Sequence, residues 1–240
     1  MLDVIGMVVL AAVIAVNINA VSNAMPLSAA ARLAIASIAG AWTGLAAAVA
    51  AAGVFANTSL PFPWIGIFVA LPMVAVGAAV ATSPVVRAAL LAIPPRVLVG
   101  INSTRVLGIF FVLLAASGRL GGPFPQSAGW GDVITGVLAV PLALIAGREG
   151  VNIDRALWGW NVLGTLDLFA AMALGVTSAN GSPLQLIYAG AGSEAAQLLP
   201  WTLIPTVLVP FYLITHGILF AQLRVRRRTV SATRASTQIA

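Results

Sequence analysis

The chain has 240 residues, 60% of them hydrophobic and only 8% charged, with a mean hydropathy of +1.05 and a formal net charge of +6. A soluble domain carries about 25% charged residues, so the composition describes an integral membrane protein. With no Lys there is no Schiff base and no retinal linkage; with no Cys there are no disulfides or thiolate sites; and one His, His216, excludes a multi-histidine metal site or a bis-histidine haem within one chain.

All twelve basic residues are Arg, and five of them fall between Arg224 and Arg234. In a membrane protein such a cluster marks a cytoplasmic end and does not indicate nucleic acid. The N-terminus carries Asp3 where a signal peptide would be basic, so Leu2–Ala20 reads as a retained helix.

A spanning helix needs about 20 mainly apolar residues. Seven stretches qualify: Val4–Val21, Leu33–Val54, Phe62–Ala81, Val97–Ala116, Asp132–Ala146, Ala156–Val176 and Leu199–Ala221. The fifth is the shortest and needs Gly129–Gly131 or Gly147 to complete it. The expected fold is therefore all-α, a polytopic bundle of seven transmembrane helices over residues 1–223, followed by a basic, disordered cytoplasmic tail over residues 224–240.

Orientation follows from the Arg count in short loops. With the C-terminus inside, Arg32, Arg87, Arg96, Arg148, Arg155 and the five tail residues lie on the inner side, against Arg119 alone outside. The N-terminus is then outside and the C-terminus cytoplasmic. Similar openings at Leu2-Asp3-Val4-Ile5-Gly6 and Gly131-Asp132-Val133-Ile134, and Leu-Pro pairs at Leu60-Pro61 and Leu199-Pro200, suggest a 3+1+3 parallel repeat. The second stretch is almost all Ala and Gly over Ala39–Gly53, a surface that lets helices approach closely.

An ionised carboxylate at bilayer depth costs roughly 2.5–3.5 kcal/mol on the mildest scale, so Asp167 needs a partner at its own level. At 1.5 Å rise per residue, Arg105 lies roughly 14 Å above Arg96, Asp167 roughly 18 Å above Arg155, and His216 roughly 12 Å from Arg224. All three fall near the middle of an apolar layer about 30 Å thick. Asn102 shares a helix face with Arg105, and Asn161, Gly164 and Asp167 form a polar and small stripe. The functional reading is a midplane ligand site. Arg105 would clamp an anion or carboxylate, Asp167 would serve as counter-ion or proton carrier, and His216 would titrate near neutral pH. The plainer reading is a static ion pair, with His216 bonded to a carbonyl and Asn102 and Asn161 acting as helix glue.

Pro200, Pro205 and Pro210 should kink or break the seventh helix and free carbonyls around Trp201–Thr206. Trp130, Trp158, Trp160 and Trp201 lie near expected helix ends, where aromatic belts form; substrate stacking is the other role for Trp160. Asp132 sits at the outer mouth of the short fifth span, capping its helix or attracting cations. The Gly-rich stretch Ser117–Gly131 lacks the Lys-Ser/Thr ending of a phosphate loop. In the long loop Thr177–Leu198, Leu184–Tyr188 is apolar enough for a short lid or interfacial helix.

The set Arg105-x-x-Gly108, Gly131-Asp132 with Gly136, Trp160-Asn161-x-x-Gly164-x-x-Asp167, Leu199-Pro200, Pro205, Val209-Pro210 and His216 resembles a family of small bacterial membrane proteins. The resemblance runs from about Arg105 to the end. It implies a bacterial inner membrane and groups these polar residues, and it implies no activity. In layout alone, seven spans with a three-one-three arrangement are similar to SWEET-type sugar transporters, whose proline-glutamine signature is missing here. The topology also resembles rhodopsins, without their lysine.

The leading expectation is a small-molecule transporter or permease built around Arg105, Asp167 and His216, with a small anionic or polar ligand. A non-transporting ligand-binding or sensory protein, and an intramembrane cofactor holder or enzyme using His216, are the alternatives. The residues name no cofactor. The lipid bilayer is the certain partner, and a homo-oligomer is compatible with the sequence.

Overall fold

A computed structural model describes residues 1–57, 64–148 and 150–237, with side chains followed as far as Arg226. The start of the third span at Phe62, the Leu60-Pro61 pair and the tail side chains Arg227, Arg228 and Arg234 lie outside the described residues. The described residues form eight helices and no strand: α1 (Leu2–Ala24), α2 (Ala29–Ala51), α3 (Trp64–Thr82), the short α4 (Pro84–Leu91), α5 (Pro95–Ala116), α6 (Phe124–Ile145), α7 (Val151–Thr177) and α8, whose membrane span is Ile204–Arg226. Seven of them, all but α4, are long and apolar enough to cross a membrane. The seven-span expectation holds.

Local chemistry sets several of the ends. Ser28 and Ser83 accept hydrogen bonds from the amides of Ala31 (3.2 Å) and Val86 (3.3 Å), capping α2 and α4. Pro84 and Pro95 stand in the first turns of α4 and α5, where a missing N–H costs nothing. The carbonyls at the end of α4 are taken by Gln222 of α8, whose Nε2 donates to Leu91 O (3.0 Å) and Ile93 O (2.7 Å).

The structure differs from these expectations in several places. The fifth span begins at Phe124 and absorbs most of the glycine-rich stretch read as a loop. Glycine is tolerated in this helix because neighbours occupy the space of its missing Cβ: a Cβ on Gly129 would lie 2.6 Å from Val112 Cγ2, and one on Gly131 would strike the Asp167 carboxylate. Asp132 consequently lies roughly 12 Å along the helix from Phe124, well inside the bundle and far from a cap. Asp3, its counterpart in the suggested repeat, stands in the first turn of α1, so the matched letters sit at different depths. Leu184–Tyr188 is not helical.

The core is layered along the membrane normal. Toward the Asp3 end lies an apolar cluster that includes Leu10, Phe110, Leu114, Leu168 and Trp201; toward the Gln222 end lies another, with Val21, Leu98, Ala139, Leu157 and Leu219. The bonded polar group of Arg105, Asp132, Asn161 and His216 lies between them. α8 is the most enclosed helix, with 67% of its apolar window buried, against 11% for α2 and for α3.

Two of the helices depart from α geometry within the bundle. α5 is a 3₁₀-helix over Ile101–Gly108, where Asn102 and Thr104 bond the backbone of their own turn at Leu98 O (2.8 Å) and Ile101 O (2.6 Å). α8 opens with a π turn over Ile204–Leu208. Pro210 has no N–H to give Thr206 O, and the indole Nε1 of Trp42 on α2 donates to that carbonyl at 3.1 Å.

Trp201, expected at an interface, is fully buried. Its ring lies on Gly6 of α1, and its Nε1 donates to Asp3 Oδ1 at 2.7 Å; Arg119 donates to the same oxygen at 2.7 Å. A Cβ on Gly6 would strike the indole, whereas one on Gly40 would meet nothing within 4 Å. Gly6→Leu should therefore lower the melting temperature in detergent, the loss amounting to about 1–3 kcal/mol of overpacking. Gly40→Leu should leave the melting curve in place.

Candidate functional site

Arg105 is the organising residue of the middle layer. In a 3₁₀-helix residues three apart eclipse one another, so Asn102, Arg105 and Gly108 form one row, and all three are buried. The row faces α6. A Cβ on Gly108 would collide with the Cβ of Asp132, so the glycine is what lets that acid reach Arg105.

The guanidinium is closed on several sides. Nε donates to Asp132 Oδ1 (2.7 Å), Nη2 to Asp167 Oδ2 (2.5 Å), and Nη1 to both Gly164 O (3.1 Å) and His216 Nε2 (3.2 Å). Its Cζ also lies 5.8 Å from the centroid of the Tyr212 ring. The side chain has no exposure, whereas Asp132 and Asp167 keep 12% and 10%. The arrangement therefore differs from an anion clamp: the guanidinium offers nothing outward, and the oxygens that remain at the edge belong to carboxylates.

His216 is fixed by α7. Asn161 Nδ2 donates to the His216 carbonyl (3.0 Å), which turns Asn161 Oδ1 toward the ring, where it accepts from Nδ1 at 2.6 Å. Nε2 then accepts from Arg105. Both nitrogens are engaged in the pattern of a neutral imidazole, leaving neither to ligate a cofactor. Gly164 provides the room, since a Cβ there would lie 2.8 Å from His216 Cε1 and 2.9 Å from Thr135 Cγ2.

The expected residues are therefore gathered with one exception. Arg105, Asp167, His216, Asn161 and Asp132 form one bonded unit, and Trp160 borders it, its ring 5.3 Å from His216 and its Nε1 donating to Thr135 O at 3.0 Å. Trp160 belongs to the core and not to an interfacial belt. Asn102 is buried and bonds only its own helix at Leu98 O, with Oδ1 unsatisfied. A second polar group was not anticipated. Asn17 of α1 donates to Thr104 Oγ1 (3.1 Å) and Tyr212 OH (3.3 Å), and those two oxygens lie 2.7 Å apart. Tyr212 precedes His216 by one turn of α8, a spacing the sequence does display.

A cavity of about 380 Å³ opens beside this unit toward the Asp3 end. Its walls come from α3, α5, α6, α7, the π turn of α8, the residues after α2 and the loop after α7. They are mainly apolar and aromatic, with Phe111, Phe124, Leu168 and Met172 among them, and Asp132, Asn57, Ser182, Ser193 and Gln197 line it as well. The loop after α7 is held in place by Ser193 Oγ donating to Gly175 O (2.6 Å) and by Gly121 N donating to Gly192 O (2.8 Å).

Removing a partner from a buried ion pair leaves an uncompensated charge and costs about 3–5 kcal/mol. Arg105→Ala should lower unfolding stability in mixed micelles by at least that, since it strands two carboxylates. The triple variant Arg105→Met/Asp132→Asn/Asp167→Asn should regain most of the loss, because no buried charge remains.

No curated protein and no solved structure matches the chain. A family model, described as a domain of unknown function, DUF8737, matches residues 62–224, from the third span to the end of the membrane part of α8. The chain is a member of the DUF8737 family of unknown function.

Proposed function

We propose that this integral membrane protein is a small-molecule transporter, multi-pass in the bacterial inner membrane with its N-terminus outside. One observation carries the proposal: the cavity that ends on Asp132 takes part of its wall from Ile204, Pro205 and Val209, where α8 leaves α geometry. Irregular backbone at membrane depth is tolerated where it is buried or lines a cavity, and substrate sites of transporters lie beside such broken helices. The 3₁₀ segment of α5, which carries Arg105, is a second irregular stretch in the bundle.

Charge counting supports an exchange mechanism. Asp132 and Asp167 against Arg105 sum to −1 when both carboxylates are ionised, with the imidazole neutral. One cation or one proton brings the unit to zero, so the two compete for a single place. Asp132, on the cavity wall, is the group that would hold either; Arg105, Asn161 and His216 position it. The anionic ligand expected from Arg105 gives way to a cationic one.

Proteoliposomes on a solid-supported membrane, presented with a panel of small cationic, anionic and neutral metabolites, should give a capacitive current with at least one cation. Asp132→Asn should abolish that current while eluting as the same monodisperse species. No current with any compound, or a current that survives the substitution, overturns the proposal.

The arginine distribution supports the orientation, and the absence of Cys makes it simple to test. Ser231→Cys introduces a lone thiol. It should resist a membrane-impermeant maleimide in intact cells and react after permeabilisation; labelling of intact cells would reverse the assignment.

A further inference from the structure

We infer that the cavity beside Asp132 binds an apolar organic amine, a hydrophobic body ending in an ammonium group, which reaches it from the hydrocarbon of the bilayer. The inference names a substrate class for the proposed transporter and rests on that proposal only for the movement, not for the binding.

The ammonium follows from the floor of the cavity. Of the charged unit, Asp132 lines the cavity, whereas Arg105 and Asp167 do not. Asp132 Oδ1 is occupied by Arg105, and among the described residues nothing donates to Oδ2. An acceptor with a free oxygen, in a unit of formal charge −1, selects a ligand that donates an N–H and brings one positive charge. A carboxylate or phosphate would add like charge to a site whose guanidinium is sealed. A neutral donor would satisfy the oxygen and leave the excess charge buried.

The apolar body follows from the walls. Trp64, Phe111, Phe124, Leu168 and Met172 surround the approach to Asp132, and a strongly hydrated metabolite would have to shed its water against them. About 380 Å³ accommodates a fused-ring or branched hydrocarbon body of modest size.

The route follows from the loop after α7. Met172, Val176, Pro183 and Leu184 line the cavity, and they also line a second, wider groove on the outside of α7 together with Phe169 and Leu186. The strip shared by the two is wholly apolar. Leu184 and Leu186, in the loop that follows α7, are exposed at 53% and 76%, so the groove opens at the edge of the bundle beside the end of that helix. Along that strip an apolar molecule meets hydrocarbon side chains, with Thr177 also lining the groove and Ser182, Ser193 and Gln197 the cavity.

The test uses full-length protein in lipid nanodiscs and tritiated 2-(1-naphthyl)ethylamine as the probe. Saturable binding is expected. Asp132→Asn should weaken it by about tenfold or more, the share of a charge-assisted hydrogen bond. Ala171→Phe, which narrows the cavity and leaves every charge in place, should weaken it comparably and guards against misfolding of the first variant. Neither N-acetyl-2-(1-naphthyl)ethylamine nor 1-naphthylacetate should compete. Absence of saturable binding, binding indifferent to both substitutions as for a lipid-filled groove, or competition by naphthylacetate overturns the inference. The two proposals fail separately. Asp132-dependent binding with no exchange of the amine across proteoliposomes sinks the transporter and leaves the site. Transport of a different substrate, unaffected by the amine, sinks the site and leaves the transporter.

Discussion

A guanidinium that cannot lose its charge, placed where no water reaches, dictates the middle of this protein. Arg105 is unexposed, and every direction it can donate in along the membrane plane is met by α6, α7 or α8. Three helices are thus brought to one level by one side chain. Helix association in lipid lacks the hydrophobic drive available in water, which makes such a multivalent polar contact a way to fix both register and neighbours. The glycines follow from it. Gly108, Gly131 and Gly164 stand where a Cβ would strike Asp132, Asp167 or His216. Each is a clearance for the ionic layer and has little to do with backbone freedom.

Two apolar clusters flank that polar level. Toward the Gln222 end, Leu98, Ala139, Leu157 and Leu219 form a buried apolar cluster. Toward the Asp3 end the packing leaves the cavity beside Asp132. The acid is therefore reached from the cavity on the Asp3 side.

Much of this was legible in the letters. Seven runs of about 20 apolar residues give seven spans, because hydrocarbon thickness sets helix length directly. Matching depths through helical rise pairs Arg105 with Asp167 and brings His216 near, and the structure has both contacts. Asp132 was misplaced for a physical reason: Pro123 to Gly131 has the composition of a turn, and only the side chains packed against Gly129 and Gly131 reveal why a helix keeps them. The role of Arg105 was misjudged for another. Depth tells which groups can meet but not how many acceptors surround a donor, and four of them turn an open clamp into a sealed hub. Asn17 and Tyr212 are far apart in the chain, and their pairing depends on which faces of α1 and α8 adjoin, which spacing alone does not give.

The indole of Trp42 on the carbonyl left bare by Pro210 couples α2 to the last helix at its least regular turn. Little else in the bundle encloses α2 or α3, whereas α8 runs through its centre. α2 also packs against α1, and α3 against α8. A change of geometry at the π turn would shift the Thr206 carbonyl that Trp42 holds, and the indole would carry that shift to α2.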